Sequence, residues 1–221
     1  MDAFPPLVGF SNAQDKGIFA NPLYKSCQPF KKMKNNAMQE LAFFLNQPIT
    51  TRRLVLEPLV AAHADLFFEP LCDMRIYRWI NAGIAADIAE LRTIWQHNES
   101  RISPNGDEIW LNWAIRLRND GPYIGKLDAE LDSPSMVTNI GFILFPEYWG
   151  GGFATESLLA TITDLSNKGI LFMRATVAKP NIASARVLEK AGFTRVSAAA
   201  DRRDTCEYCL VIPKRLIYKD S

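Results

Sequence analysis

The sequence has 221 residues, of which 48% are hydrophobic and 22% are charged. This length fits one domain of ordinary size, or one domain with an extra segment, and the composition is that of a soluble globular protein. A formal net charge of +1 excludes an overall basic field that would attract nucleic acid or an anionic membrane. Any anion binding must therefore be local.

The sequence carries no sign of export or of a membrane span. No run approaches the roughly 18 consecutive apolar residues that a spanning helix requires. The N-terminus has an acid at Asp2 and two early prolines instead of the basic start and apolar core of a secretory signal. We therefore expect a cytoplasmic protein that binds neither membrane nor nucleic acid.

The four cysteines are too few and too scattered for a disulfide framework. Cys206 and Cys209 have the spacing of a metal-binding pair, but no second pair accompanies them. They also fall in a predicted strand, where residues three apart face opposite sides. We expect no metal site.

Residues 1–48 differ from the rest of the chain. They contain five prolines, several asparagines and a lysine cluster around one apolar helical patch, Met38 to Leu45. We interpret them as a partly ordered extension. The composition favours a solvated tail over a helix that packs on the body or on a partner. Residues 49–221 are expected to form a single domain.

From Thr50 onward the hydrophobic pattern is regular, with helical stripes and alternating strands. The predicted elements are a strand at 52–59, helices at 60–72 and 85–101, strands at 108–118, 121–131 and 139–145, a helix at 153–169, a strand at 170–177, a helix at 181–193 and a strand at 206–212. The strands at 108–118 and 121–131 should form a hairpin across an Asn-Asp-Gly turn.

The strands at 139–145 and 170–177 are apolar on both faces, which is typical of central strands covered on both sides. A glycine loop and a helix connect them. Because this order forms a βαβ unit, the two strands should be parallel neighbours. The sequence therefore predicts an α+β fold with a mixed, mainly antiparallel sheet flanked by helices.

The glycine loop reads EYWGGGFATES, from Glu147 to Ser157. A glycine loop that feeds a helix directs several backbone N–H groups into one concavity at the positive end of the helix dipole. Two known phosphate motifs do not fit. A P-loop needs a lysine directly after the last glycine, and a dinucleotide fingerprint needs glycine or alanine where this chain has Thr155.

This loop, followed about thirty residues later by NIASARVLEKAGF, resembles the GNAT superfamily of acetyl-CoA-dependent N-acetyltransferases. More specifically it is similar to the Rim-type branch of ribosomal-protein N-terminal acetyltransferases, in which Trp149 is the usual residue at its position. Gly152 and Ala154 match the superfamily loop. Gly151 stands where the branch often has a basic residue, so one phosphate contact is missing. The resemblance extends from Thr51 to Ile212.

The resemblance implies a GNAT-like fold in which the two central parallel strands splay apart and receive acetyl-CoA, the cosubstrate. The pantetheine arm would pair with the main chain of Phe142, Ile143 and Leu144. The diphosphate would lie on the N–H groups of Gly150, Gly151, Gly152, Phe153, Ala154 and Thr155. Asn181 and Ser184 match positions that contact the pantetheine or the thiol, and helix capping is an equally good reading of both.

Acetyl transfer from a thioester to an amine needs a neutral nucleophile and a proton for the departing thiolate. At pH 7.4 an α-amine is roughly a quarter neutral and a lysine amine only about one part in a thousand, so an enzyme acting on N-termini needs a weaker base. Glu130 is our candidate base. Because Lys126, Asp128 and Glu130 share one strand face, a solvated charged face is the favoured alternative. Glu147 is a second candidate.

The superfamily often protonates the thiolate with a tyrosine in the last helix, and this sequence has Leu188 at that position. Ser184 or a water must then serve. For the acceptor, the resemblance points to IYRWI and hence to Tyr77 and Trp79, which could equally hold the first helices on the sheet. Trp110, Trp113 and Tyr123 are further aromatic candidates, although such residues are more often core.

We therefore expect an N-acetyltransferase that transfers an acetyl group from acetyl-CoA to a primary amine, directly and in a ternary complex. The acceptor is a protein N-terminus or a small amine, and the absence of a visible acidic patch weakly disfavours polyamines. The alternative is a non-catalytic module that binds CoA or acyl-CoA as a regulator or scaffold. Leu188 leaves this alternative open, because it stands where the proton-donating tyrosine is usual. The protein should be a monomer or a homodimer.

Overall fold

A computed structural model describes residues 30, 33, 35–80, 83–196 and 204–213. Within these residues the helices are α1 (Asn35–Leu45), α2 (Ala64–Leu71), α3 (Ile88–Asn98), α4 (Phe153–Asn167) and α5 (Ile182–Lys190). The strands are β1 (Ile49–Thr50), β2 (Leu54–Pro58), β3 (Ile109–Leu117), β4 (Tyr123–Ser133), β5 (Met136–Leu144), β6 (Phe172–Ala178), β7 (Thr194–Arg195) and β8 (Thr205–Val211). In the described part of the chain no helix is long and apolar enough to cross a membrane.

All of the predicted helices and strands are present. The helix predicted at 60–72 is a short 3-10 turn, Ala61–His63, followed by α2. The helix predicted from residue 85 begins at Ile88, because the Asp87 side chain caps it by accepting the Glu90 N–H at 2.8 Å. Two strands of two residues each, β1 and β7, had no signal in the sequence.

The strands form one sheet in the order β1-β2-β3-β4-β5-β6-β8-β7. All neighbours are antiparallel except β5 and β6, which are parallel as predicted. These two strands pair only at their first residues, Met136 with Phe172 and Val137 with Met173. Beyond these pairs the two strands separate, so the mixed sheet with two splayed central strands is confirmed.

The sheet has a helical layer on each face. On one face α1, α4 and α5 cover the main core, which includes Leu111, Trp113, Leu127, Ile140 and Leu158. On the other face α2 and α3 cover a second apolar cluster around Phe67, Trp95 and Ile143. The central strand β5 contributes to both clusters, as its apolar pattern predicts.

Helix α1 packs on the body. Met38, Ala42 and Leu45 on its inner face are at most 2% exposed and belong to the main core, and so does Phe30 before it. The preference for a solvated tail is therefore wrong for this segment. Composition could not reveal it because the four buried side chains are spread among polar neighbours. Residues 1–29 lie outside the described residues.

Gly125 in β4 lies so close to β5 that a Cβ atom there would be 2.0 Å from the Ile143 carbonyl oxygen. We expect Gly125→Ala to lower the free energy of unfolding by about 3 kcal/mol, because backbone must move to accept the methyl group. Urea denaturation measures the change. Gly106→Ala is the control: it also has a positive φ, but open space surrounds it, so it should cost only about 1 kcal/mol. Equal costs would contradict the close contact.

Candidate functional site

The gap between β5 and β6 exposes backbone groups of β5. The Phe145 N–H donates to the Ile124 carbonyl at 2.8 Å, which fixes the residues of β5 that bond to β4. Because such bonds alternate along an antiparallel pair, Ile143 also bonds to β4, whereas Phe142 and Leu144 turn their N–H and C=O groups toward the gap.

Two of the three predicted pantetheine partners therefore present main-chain groups to the gap, and Ile143 does not. The Leu144 carbonyl already accepts a hydrogen bond from Trp149 Nε1 at 2.7 Å. The main-chain groups of β5 that could still bond an extended ligand are the N–H and C=O of Phe142 and the N–H of Leu144. The sequence could not separate these residues, since the alternation depends on the register with β4.

The glycine loop closes the end of the gap and leads into α4. Gly150 and Gly152 have φ values of 75° and 76°, in the left-handed region where glycine is favoured. The first helical bond of α4 is from Glu156 N–H to the Gly152 carbonyl, at 3.1 Å. The N–H groups of the first turn before it have no helical partner and point out of the helix end. They form a concavity suited to an anion.

A basic side chain does lie on this loop, and it is that of Arg53, the residue directly before β2. Its Nη1 donates to the Gly151 carbonyl at 3.0 Å, and its guanidinium stacks on the Phe153 ring at 4.3 Å. A basic side chain thus lies beside Gly151, although it bonds a loop carbonyl; the loss of one phosphate contact at Gly151 stays a prediction. A pair 98 residues apart in sequence leaves no local signal.

Glu156 of α4 fixes Arg53 in this position. Its carboxylate accepts Arg53 Nε at 2.6 Å, the Arg53 main-chain N–H at 3.0 Å and the Thr51 hydroxyl at 2.6 Å. Because a peptide unit is planar and trans, holding the Gly151 carbonyl toward Arg53 turns the following N–H, that of Gly152, the opposite way. Arg53 thus orients one of the loop amides.

At the start of α5, Asn181 caps the helix, since its side chain accepts the Ser184 N–H at 3.1 Å. The Ser184 hydroxyl makes no hydrogen bond to any described residue and is part-exposed. Leu188 is 1% exposed and belongs to the main core. A side chain at the tyrosine position of this helix is therefore buried among apolar residues.

On the opposite face of the sheet, a cavity of about 160 Å³ lies between the strands and α2 and α3. Its sheet side carries polar residues, and its helix side carries apolar and aromatic residues. The lining includes Asn112, Lys126, Asp128, Glu130 and Asn139 from the strands and Phe68, Leu71, Leu91, Ile94 and Trp95 from the helices. Such a concave site with a few convergent polar groups is a typical ligand pocket.

Lys126, Asp128 and Glu130 share one face of β4, as predicted, but that face is not solvated. The side chains of Lys126 and Asp128 are only 18% and 14% exposed and form an ion pair. Asn112 donates a further hydrogen bond to Asp128 at 2.8 Å. The favoured reading of a solvated charged face is corrected, because α2 and α3 roof these residues over.

Burial raises the pKa of Glu130 to about 8, and the nearby carboxylates of Glu108 and Asp128 add to the rise. Burial also raises the pKa of Asp132, again with a contribution from Glu108. Three of these four carboxyl groups alternate along β4, and Glu108 lies directly before β3. Glu108 joins the other three only when β3 and β4 pair, so the sequence did not show the whole cluster.

Only some of the aromatic candidates for acceptor binding line the cavity. Tyr77 and Trp110 line the cavity. Trp79 does not line it; it is 37% exposed and lies under the Arg78 guanidinium at 4.7 Å. Trp113 is fully buried and donates to the Gln47 carbonyl at 3.0 Å. Tyr123 donates its hydroxyl to Glu57 and lies outside the cavity lining.

Glu147, the first residue of the glycine loop, and His63 do not line the cavity. Glu147 is exposed and pairs with Arg75 at 3.4 Å. His63 is buried, with Nε2 at 3.2 Å from Glu57. Among the described residues no group of three or more His, Cys, Asp or Glu side chains could hold a metal ion.

The raised pKa of Glu130 predicts a pH dependence of stability. Because the folded value of about 8 lies above the ordinary 4.5, the folded state holds a proton that the unfolded chain has lost between these pH values. Stability attributable to Glu130 is therefore lost as the pH rises through this window. We expect Glu130→Gln to gain stability relative to the wild type from pH 5 to pH 9, measured by urea denaturation. The control Glu69→Gln, at an exposed position, should show no such trend.

Comparison with known proteins identifies the family to which this fold belongs. Residues 53–194 match the family described as acetyltransferase (GNAT) domain. The uncharacterized N-acetyltransferase YoaA of Bacillus subtilis is 24% identical over 149 residues, which cover 66% of this chain and 82% of that protein.

Two solved structures share the fold. One is the acetyltransferase from Salmonella typhimurium that modifies the N-terminal serine of the ribosomal protein L7/L12 (TM-score 0.63, 19% identity, 76% of this chain and 100% of that one). The other is RimL, a ribosomal L7/L12 α-N-protein acetyltransferase, in complex with CoA (TM-score 0.63, 19% identity, 75% and 98% of the chains). A profile match over more than half of the sequence, on the fold just described, shows that the chain belongs to the GNAT acetyltransferase family and is an acetyl-CoA-dependent N-acetyltransferase.

Proposed function

We propose that this enzyme binds acetyl-CoA in the gap between β5 and β6 and transfers the acetyl group directly to an amine in the cavity beneath α2 and α3. One observation carries the proposal. The central parallel strands separate after two residue pairs, with an amide-lined glycine loop at the end of the gap and a cavity bearing a buried carboxyl group on one face of the sheet.

The cofactor residues follow from this arrangement. The pantetheine amides would pair with the outward-facing main chain of Phe142 and the N–H of Leu144. The diphosphate would lie on the amides from Gly150 to Thr155, oriented by Arg53. Six amide donors at a helix end favour a dianion without any side chain reaching it. Asn181 would keep its capping role while its helix start borders the gap.

Glu130 would accept the proton of the acceptor ammonium, directly or through a water, and so supply the neutral nucleophile. With a pKa of about 8, roughly one tenth of Glu130 is carboxylate at pH 7 and half at pH 8, and that carboxylate is basic enough to take a proton from an α-ammonium. When the tetrahedral intermediate collapses, the carbon–sulfur bond breaks and the thiolate takes a proton. Ser184, whose hydroxyl has no partner among the described residues, or a water would provide it.

The acceptor is a primary amine on a protein N-terminus or on a small molecule. The structural neighbour that modifies an N-terminal serine supports the first. Tyr77 would contact the acceptor because it lines the cavity, whereas the exposed Trp79 is a weaker candidate. Action in the cytoplasm, as a monomer or a homodimer, stays a prediction.

A thiol-release assay with acetyl-CoA and a panel of amines and N-terminal peptides tests the proposal. Acceptor-dependent release of free CoA thiol is expected. The buried Leu188 leaves the usual proton donor absent, which is what a non-catalytic CoA-binding module would also show. Tight binding of acetyl-CoA with no release from any acceptor would favour that module and overturn the direct-transfer mechanism.

Arg53→Ala should weaken CoA binding about tenfold, because the loop amides lose a charged hydrogen bond that orients them. Binding of pantetheine, which lacks the diphosphate, should not change. Calorimetric titration with both ligands measures the difference. Arg52→Ala removes the same charge from the exposed neighbouring residue and is the matched control. Equal losses for CoA and pantetheine would mean that Arg53 only stabilises the fold.

Glu130→Gln should lower kcat by about 100-fold or more, as expected for loss of a general base.

Glu108→Gln should keep activity and move the acid limb of the pH profile of kcat/KM to lower pH, because removing a nearby negative charge lowers the pKa of Glu130. The glutamine can still accept the Trp110 Nε1 hydrogen bond. An acid limb that does not move in Glu108→Gln would assign that limb to the acceptor amine instead.

A further inference from the structure

Building on the proposed acceptor site, we propose that the acceptor amine is carried by one compact apolar group, such as an apolar first residue of a peptide or a small alkyl or aryl amine. The proposal rests on the shape and the divided polarity of the cavity beneath α2 and α3.

The cavity is large enough for one ring-sized group. Its volume is about 160 Å³. An apolar cavity of roughly 150 Å³ is known to accept benzene. A long polyamine or several peptide residues would not fit within this volume, so recognition must concentrate on the group that carries the amine.

The helix side of the cavity is suited to an apolar body. Leu91 and Trp95 of α3 face Leu71 of α2 across it, and all three are less than 9% exposed. Tyr77 extends this wall, and Ile143 of β5 adds an apolar side chain from the sheet side. The aliphatic side chains Leu71 and Leu91 offer no hydrogen bond, and Asn98 is the polar residue that α3 adds to the lining. A hydroxyl-bearing or charged group against the aliphatic side chains would be desolvated without compensation.

The sheet side is suited to the ammonium. Lys126 and Asp128 pair with each other, so their charges largely cancel. Glu130 forms no ion pair with any residue that the structure describes, and its side chain is hydrogen-bonded to the neutral Asn139. An ammonium at Glu130 therefore has a carboxyl partner, and the group bearing it points toward α3. One end of the cavity selects an amine and the other selects its apolar body.

Selectivity between acceptors tests the inference. Peptides that differ only in their first residue, Leu, Phe, Gly or Ser, are compared by thiol release, together with isoamylamine, phenethylamine, ethanolamine and putrescine. We expect kcat/KM to be about 10- to 100-fold higher for Leu and Phe than for Gly and Ser, from burial of the added methylenes. Among the small amines, kcat/KM should likewise be higher for the apolar isoamylamine and phenethylamine than for ethanolamine and putrescine if the acceptor is a small molecule. If only the peptides react, the acceptor amine is a protein N-terminus.

A variant that fills the cavity gives a second test. Ala85 lines it, and Ala85→Leu should raise KM for the Leu and Phe peptides at least tenfold while leaving KM for the Gly peptide and the Kd for CoA unchanged. Ala89→Leu, at an exposed position in α3, is the matched control and should change neither.

The outcomes separate this inference from the proposed function. Thiol release that is indifferent to the first residue, or that favours Ser, overturns the apolar acceptor and leaves direct acetyl transfer intact. The inference also fails if Ala85→Leu slows all peptides equally. An absence of release with every acceptor would overturn the proposed function and the inference together.

Discussion

The separation of β5 from β6 is the constraint on which the rest of the structure depends. Both strands are fully paired on their outer sides, β5 with β4 and β6 with β8, but share only two residue pairs with each other. Backbone groups near the centre of a sheet are thus left unpaired, and such groups cost free energy unless water or a ligand satisfies them. An extended ligand with amides of its own is the chemical complement, since it adds a partial strand.

Side chains engage two carbonyl groups beside the gap, one at the end of β5 and one in the glycine loop. Trp149 bonds the last carbonyl of β5, and Arg53 bonds that of Gly151. With these acceptors engaged, the loop presents N–H groups to the gap, which gives the concavity one electrostatic sign. Glu156 balances the charge of Arg53, so the loop gains orientation without gaining net charge. The amides and the helix dipole then supply most of the attraction for a diphosphate.

The sequence predicted the fold far better than the site, for physical reasons. The hydrophobic periodicity, the helix caps and the glycines are local signals. From Thr50 onward they therefore predicted all of the longer helices and strands, the parallel pair and the loop at Gly150 to Gly152. The Arg53–Glu156 pair joins residues 103 apart, and the cavity forms from β3, β4 and β5 together with two helices. Such features depend on register and packing. The same limit explains why Glu130 looked solvated and why Ile143 could not be told from Phe142.

In the proposed reaction the acidity of Glu130 restricts the acceptor independently of the cavity. Proton transfer is close to balanced between an α-ammonium, with a pKa of about 7.7 to 8.0, and a carboxylate whose pKa is about 8. For a lysine ammonium near 10.4 the same transfer is uphill by more than two units, or about 3 kcal/mol. The burial that roofs the acceptor cavity is also the main cause of the raised pKa. Shape and proton affinity therefore have one origin: the cavity favours a compact apolar body, and the proton affinity of Glu130 favours a peptide α-amine over an alkyl amine as its source.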